Sequence, residues 1–267
     1  MPDFVQLATS ARILDLAQPL YPGVPHFPTH PPFALSLTKQ HGEVVLANGG
    51  SSAAELIALG GHTGTHIDAL CHFSCGGKLH GGAELTQSPA GGVSPYSVDT
   101  IAPIVRRGVL LDIAGHLGVE ALPETFVIAP EHFDAIVSAR GIDVRRGDVV
   151  LLRTGWGQYW GDPRRFSTGG QGGAPTSPGP EEAGARWLSE RGVFAAGSDT
   201  LAFERVPSST MPVHIHLLVE SGIHIIENLN LEELGREQIA DFLFVAAPLK
   251  IRGGTGSPIR PLAMVVP

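Results

Sequence analysis

Cysteine is almost missing from this 267-residue chain. The two present, Cys71 and Cys75, stand four apart and have no distant partner for a disulfide staple. That excludes a disulfide-built scaffold and leads us to expect a reducing, cytoplasmic setting. Positive charge is also short, with 18 basic against 26 acidic residues and a formal net charge of −8, so no basic face for a nucleic acid can be assembled. No apolar run of about eighteen residues occurs, and no membrane span is expected. The opening MPDFVQLATSARILDL lacks the basic-then-apolar order of a signal peptide. A nucleophile elbow of the form G-x-S-x-G is absent as well, which leaves covalent acyl-enzyme chemistry without support.

Glycine (34) and proline (22) are plentiful, so many turns and shaped loops are expected. The segment 22–33, PGVPHFPTHPPF, carries five prolines and must be an extended, rigid loop. Residues 12–20, RILDLAQPL, read as a short strand running into a turn, and short apolar or β-branched runs at 109–113, 148–153 and 242–247 read as buried strands. Residues 35–59 alternate loosely and also suit strands, with 53–59 apolar enough to run into the core. Helical spacing appears at 130–140, with Phe133, Ile136 and Val137 on one face, and at 180–191, which opens on Pro180, Glu181 and Glu182 and ends at Gly192. Strands mixed with a few helices indicate a single α/β or α+β domain spanning 1–267. The Gly-rich segment 156–180 is too long for a plain connection and is expected to be a functional or a disordered loop.

Against this background one stretch stands out. From Gly61 to Gly82 the chain reads GHTGTHIDALCHFSCGGKLHGG, with four of its twelve histidines, one aspartate and both cysteines. His62, His66 and Asp68 offer two imidazoles and a carboxylate, a ligand set for zinc, manganese or iron that leaves positions open for water. Thr63, Gly64 and Thr65 are poor helix formers, so a tight turn into a short segment is expected, with Gly64 letting the backbone curl. A lone histidine in an apolar setting is usually structural, but three ligand types at fixed close spacing reverse that reading. A structural zinc site would need a second cysteine pair, which the chain does not have.

The eleven residues HTGTHIDALCH fill every fixed position of H-x-G-T-H-x-D-x-x-x-H. In this the chain resembles the cyclase family of metal-dependent hydrolases, which includes kynurenine formamidases, isatin hydrolases and a trans-dienelactone hydrolase. Three further segments agree in order: LDLAQPLYPGVPHFP, GDVVLLRTGWG and AAPLKIRGGTGSPIRPLAMV, the last most like isatin hydrolase. The resemblance implies a swivelling β/β/α fold with a mixed β core and a few flanking helices, assembled as a homodimer or homotetramer. It implies that His62, His66 and Asp68 are metal ligands and that His72 is the acid–base residue. Many relatives carry Pro two residues after the aspartate, where this chain has Leu70.

A second cluster, PVHIHLLVESGIHIIENLN at 212–230, matches the family's second metal position through His214 and Glu227, with His216 as the alternative histidine. His224 reads as a hydrogen-bonded strand histidine. The expected cofactor is one or two Mn²⁺ or Zn²⁺ ions per chain. Phe27 and Trp156, with Tyr159 and Trp160, are expected to cover a planar substrate. The expected activity is hydrolysis of a cyclic amide or ester, with an arylformamidase or a metal-binding protein without turnover as alternatives.

Overall fold

A computed structural model describes residues 4–265. Eleven strands organise the molecule: β1 (Arg12–Asp15), β2 (Ala34–Lys39), β3 (Ala54–Ala58), β4 (His66–Asp68), β5 (Ile104–Asp112), β6 (Val149–Arg153), β7 (Ala195–Ser198), β8 (His224–Glu227), β9 (Asp241–Ala246), β10 (Gly256–Pro258) and β11 (Leu262–Val265). Nine of them form one curled sheet in the order β1-β11-β9-β5-β6-β7-β8-β4-β10. The central four, β5 to β8, run parallel. Both wings are antiparallel. This mixed α/β architecture is the one the sequence implied.

Strands buried on both faces need apolar residues at every position, and VVLL in β6 and VLL in β5 supply them. Period-two alternation then sorts those residues between two cores. Leu110, Leu151, Ala195 and Ile226 face one, with Leu229, Leu234 and Phe244. Leu111, Val150, Leu152 and Ile225 face the other, which three helical segments cover. These are Pro130–Arg140, Glu182–Glu190 and the run from Pro212 to Ser221. The first begins on Pro130 and stops at Gly141, whose φ of 60° takes the left-handed turn that ends a helix.

Two expectations are corrected. Most of 53–59 stays outside the core: β3 pairs with β2, Leu56 and Ile57 are 63% and 49% exposed, and it is Leu59, at the end, that packs against Phe33 and Trp160. The segment 156–180 is not an open loop either. It folds into a 3-10 turn at Trp156–Tyr159 and a helix at Pro163–Thr168, capped by the Asp162 carboxylate accepting from Arg165 N–H.

Candidate metal centre

The site is built on β4, only three residues long, which lies between β8 and β10. Side chains alternate along a strand, so His66 and Asp68 point to one side while Ile67 enters the core. Register sets Glu227 of β8 opposite His66, and Gly256 of β10 opposite Asp68. No local pattern in residues 256–258 marks them as this third strand.

Upstream, the HTGT turn is pinned from several directions. Gly64 has φ of 70°, and a Cβ there would collide with Leu20. Thr65 Oγ1 accepts from Gln18 N–H (2.8 Å) and donates to Asn228 O (2.6 Å). Thr63 Oγ1 donates to Pro31 O at 3.0 Å, tying the turn to the proline-rich loop. Downstream, a 3-10 turn at Leu70–His72 swings His72 back toward His62, and the two rings lie 4.0 Å apart.

Each candidate histidine ligand is anchored through its remote nitrogen. His62 Nε2 meets Thr255 Oγ1 at 2.9 Å, His66 Nδ1 meets Gly64 O at 2.8 Å, and His214 Nδ1 meets Glu204 Oε1 at 2.6 Å. The opposite nitrogens converge on two carboxylates. His62 Nδ1 lies 2.7 Å from Asp68 Oδ1, and His66 Nε2 lies 3.5 Å from Asp68 Oδ1 and 3.4 Å from Glu227 Oε2. His214 Nε2 lies 3.3 Å from Glu227 Oε1 and 4.0 Å from Asp68 Oδ2. His62 Nδ1, His66 Nε2 and both Asp68 oxygens are nevertheless buried without a hydrogen-bond partner. Buried polar atoms are normally satisfied, so four orphans aimed at one another fit a divalent ion. Two overlapping groups lie within reach of such an ion, His62–Asp68–His72 and His66–Asp68–Glu227, and Asp68 belongs to both.

Burial opposes the charge on Asp68, yet the imidazoles of His72, His62 and His66 hold its carboxyl well below the usual carboxylate range. Glu227 is likewise buried and is held low through His214 and His66. Burial works against a charged His214, but Glu204 and Glu227 raise it to about 10. His72 goes the other way: burial pushes it down to about 3, so its imidazole is neutral at neutral pH.

These groups open onto a cavity of about 310 Å³ whose lining includes Phe27, His30, His72, Phe73, His214 and Glu227. Phe27 is therefore on the cavity as the sequence suggested. Trp156 is not. It is buried, it donates its indole N–H to Leu122 O at 3.0 Å, and the preceding turn is fixed by the Asp199 carboxylate accepting from Thr154 and Gly155 N–H. Trp160 packs beneath the Phe27 loop with Phe33 and Leu201. His214 rather than His216 faces the cluster, because both nitrogens of His216 are taken by Glu220 and Ser189. His224 hydrogen-bonds Asp68 O at 2.9 Å. Three residues were missed: His30, whose ring lies 4.9 Å from that of His62, and the anchors Glu204 and Thr255. Only His30 carried a signal, as a histidine within the rigid proline loop.

Fold and donors together define an α/β protein with a three-histidine, two-carboxylate centre at the end of a mixed sheet, on the wall of a cavity. The chain belongs to the Cyclase family: the model described as "Putative cyclase" matches residues 14–205. An isatin hydrolase from Roseibium aggregatum is 26% identical over 266 residues, covering 97% of this chain and 94% of that protein. A kynurenine formamidase from Bacillus cytotoxicus is 25% identical over 251 residues, covering 92% and 94%. A crystal structure described as that of a novel cyclase superposes with a TM-score of 0.86 at 26% identity, covering 97% of this chain and 88% of that one. The named relatives are hydrolases.

Proposed function

We propose that this chain is a metal-dependent hydrolase that opens a cyclic amide or ester, isatin-like or lactone-like. The observation that carries the reading is the set of four buried, unpartnered donor atoms on His62, His66 and Asp68 beside the cavity. One or two Mn²⁺ or Zn²⁺ ions bound there would supply Lewis acidity, polarising the substrate carbonyl and lowering the pKa of a water toward about 7. His62, His66 and Asp68 would hold the first ion, and His214 and Glu227 would offer a second position. Phe27 and Phe73 present apolar faces to a planar ring, and Trp156 has no part in this. The neutral His72 accepts the proton of the attacking water and passes it to the leaving nitrogen or oxygen as the carbonyl–heteroatom bond breaks. The product is an open carboxylate with a free amine or hydroxyl.

Retention of Glu227 beside His214 favours a second reading, an arylformamidase acting on N-formylkynurenine with two ions. Isatin, a dienelactone and N-formylkynurenine, each assayed with Mn²⁺ and with Zn²⁺, decide between them. Faster hydrolysis of a ring-closed substrate is expected. Faster hydrolysis of the formamide would favour the second reading, and no turnover of any would leave a metal-binding protein. The net charge of −8 supports a small-molecule rather than a nucleic-acid partner, and no helix among the described residues is long and apolar enough to cross a membrane. We further propose a cytoplasmic homodimer or homotetramer, the location resting on the two cysteines without a disulfide partner.

A further inference from the structure

Behind His214 lies a carboxylate that the hydrolytic scheme does not use. Glu204 is 1% exposed and forms no ion pair with an arginine or lysine among the described residues. One of its oxygens, Oε1, accepts from the backbone N–H of His214 at 3.0 Å and meets the ring Nδ1 of the same residue at 2.6 Å. Two bonds from one oxygen to the main chain and ring of one residue leave that ring a single orientation. They also decide which nitrogen an ion can take, since with Nδ1–H donated to Glu204 it is the Nε2 proton that a metal would displace, on the side facing Glu227 and Asp68.

The neighbouring histidine provides the contrast. The helix carrying both residues widens into a π-helix at Ile215–Ser221, and His216 turns away from the cavity. There its Nδ1 meets Glu220 and its Nε2 meets Ser189, so no nitrogen is left for an ion. Of the two histidines offered by the sequence, only the one held by Glu204 presents a free nitrogen to the carboxylates.

We infer that Glu204 is a positioning residue that makes His214 a metal ligand, which rests on the metal-dependent reading above. A carboxylate behind a ligating histidine orients the ring and raises its basicity, and losing such a partner weakens metal binding about 10- to 100-fold.

The test uses the full chain stripped with a chelator and titrated with Co²⁺, read by calorimetry and visible absorption. Wild type, Glu204→Ala, Glu204→Gln, His216→Ala and His66→Ala are compared, with circular dichroism to check folding. Glu204→Ala should bind Co²⁺ about 10- to 100-fold more weakly and alter its absorption band. Glu204→Gln, whose amide oxygen still accepts from Nδ1–H, should recover part of the loss and keeps the test decisive if the alanine variant does not fold. His216→Ala should bind as wild type does. Wild-type affinity and spectrum in Glu204→Ala would overturn the inference, as would equal losses in the Ala and Gln variants or a matching loss in His216→Ala. If His66→Ala alone loses Co²⁺, the metal reading stands and the role of Glu204 falls. If wild type binds no Co²⁺, both fall.

Discussion

His66 and His72 lie on the same short segment, and their surroundings give them different work. His66 is 2% exposed, with one nitrogen tied to Gly64 O and the other aimed at Asp68 and Glu227. His66→Ala should therefore purify without the divalent ion that the parent carries, and elemental analysis finding equal metal in both would sink the ligand assignment. His72 carries a half-buried, neutral ring on the cavity wall. His72→Asn should keep the metal and lower turnover by roughly 10²–10⁴, the usual worth of general acid–base catalysis. Full activity in that variant would make His72 structural. Loss of metal would instead make it a ligand, a role open to it because it lies within reach of an ion shared with His62 and Asp68.

At the next scale, β4 works because strands on both sides hold its register. Gly256 of β10 shows how tightly, since a Cβ there would stand 2.5 Å from His62 Cε1. The β10 backbone is paired with β4, so in Gly256→Ala the imidazole has to move. Metal affinity should fall about 10- to 100-fold, comparable to loss of an outer-shell partner. A Zn²⁺ competition titration matching wild type would contradict this. Much of this level was readable beforehand. The eleven-residue motif marked the turn and β4, apolar runs marked β5, β6 and β9, and the spacing of Phe133, Ile136 and Val137 marked a helix. The residues that stayed hidden lack local spacing. Thr255 is 193 positions from His62, and Glu204 is a lone acid ten before His214. Only topology brings them in. Residues 53–59 misled because AAELIAL reads the same in a core strand as in a hairpin with open faces. Trp156 misled because a Gly-rich context suggests a mobile loop, whereas the Asp199 carboxylate winds that segment inward.

Viewed whole, the molecule leaves one conspicuous apolar feature. Leu35, Leu37, Val44, Val45, Leu46, Leu56 and Ile57, all on the β2–β3 hairpin, are between 45% and 63% exposed. A two-stranded hairpin is marginal by itself in water, and an apolar patch of this kind marks an association surface. We propose that a second copy of this chain covers it, as the hairpin has two apolar faces and few charges to suit another partner. Light scattering should give a dimer or tetramer, and Leu37→Glu with Val45→Glu should shift it toward monomer; an unchanged mass would refute the role of the hairpin. The strand order has a thermodynamic consequence as well. Because β4 meets β8 and β10 only in the native chain, the donors from 62–68, 214 and 227 converge in no unfolded conformation. Ion binding and folding are then linked equilibria, and free metal at a hundred times its dissociation constant adds about 2.7 kcal/mol to native stability. The melting temperature should rise with added Mn²⁺ or Zn²⁺ and drop on chelation, so that the protein's resistance to heat reports how much metal its surroundings supply.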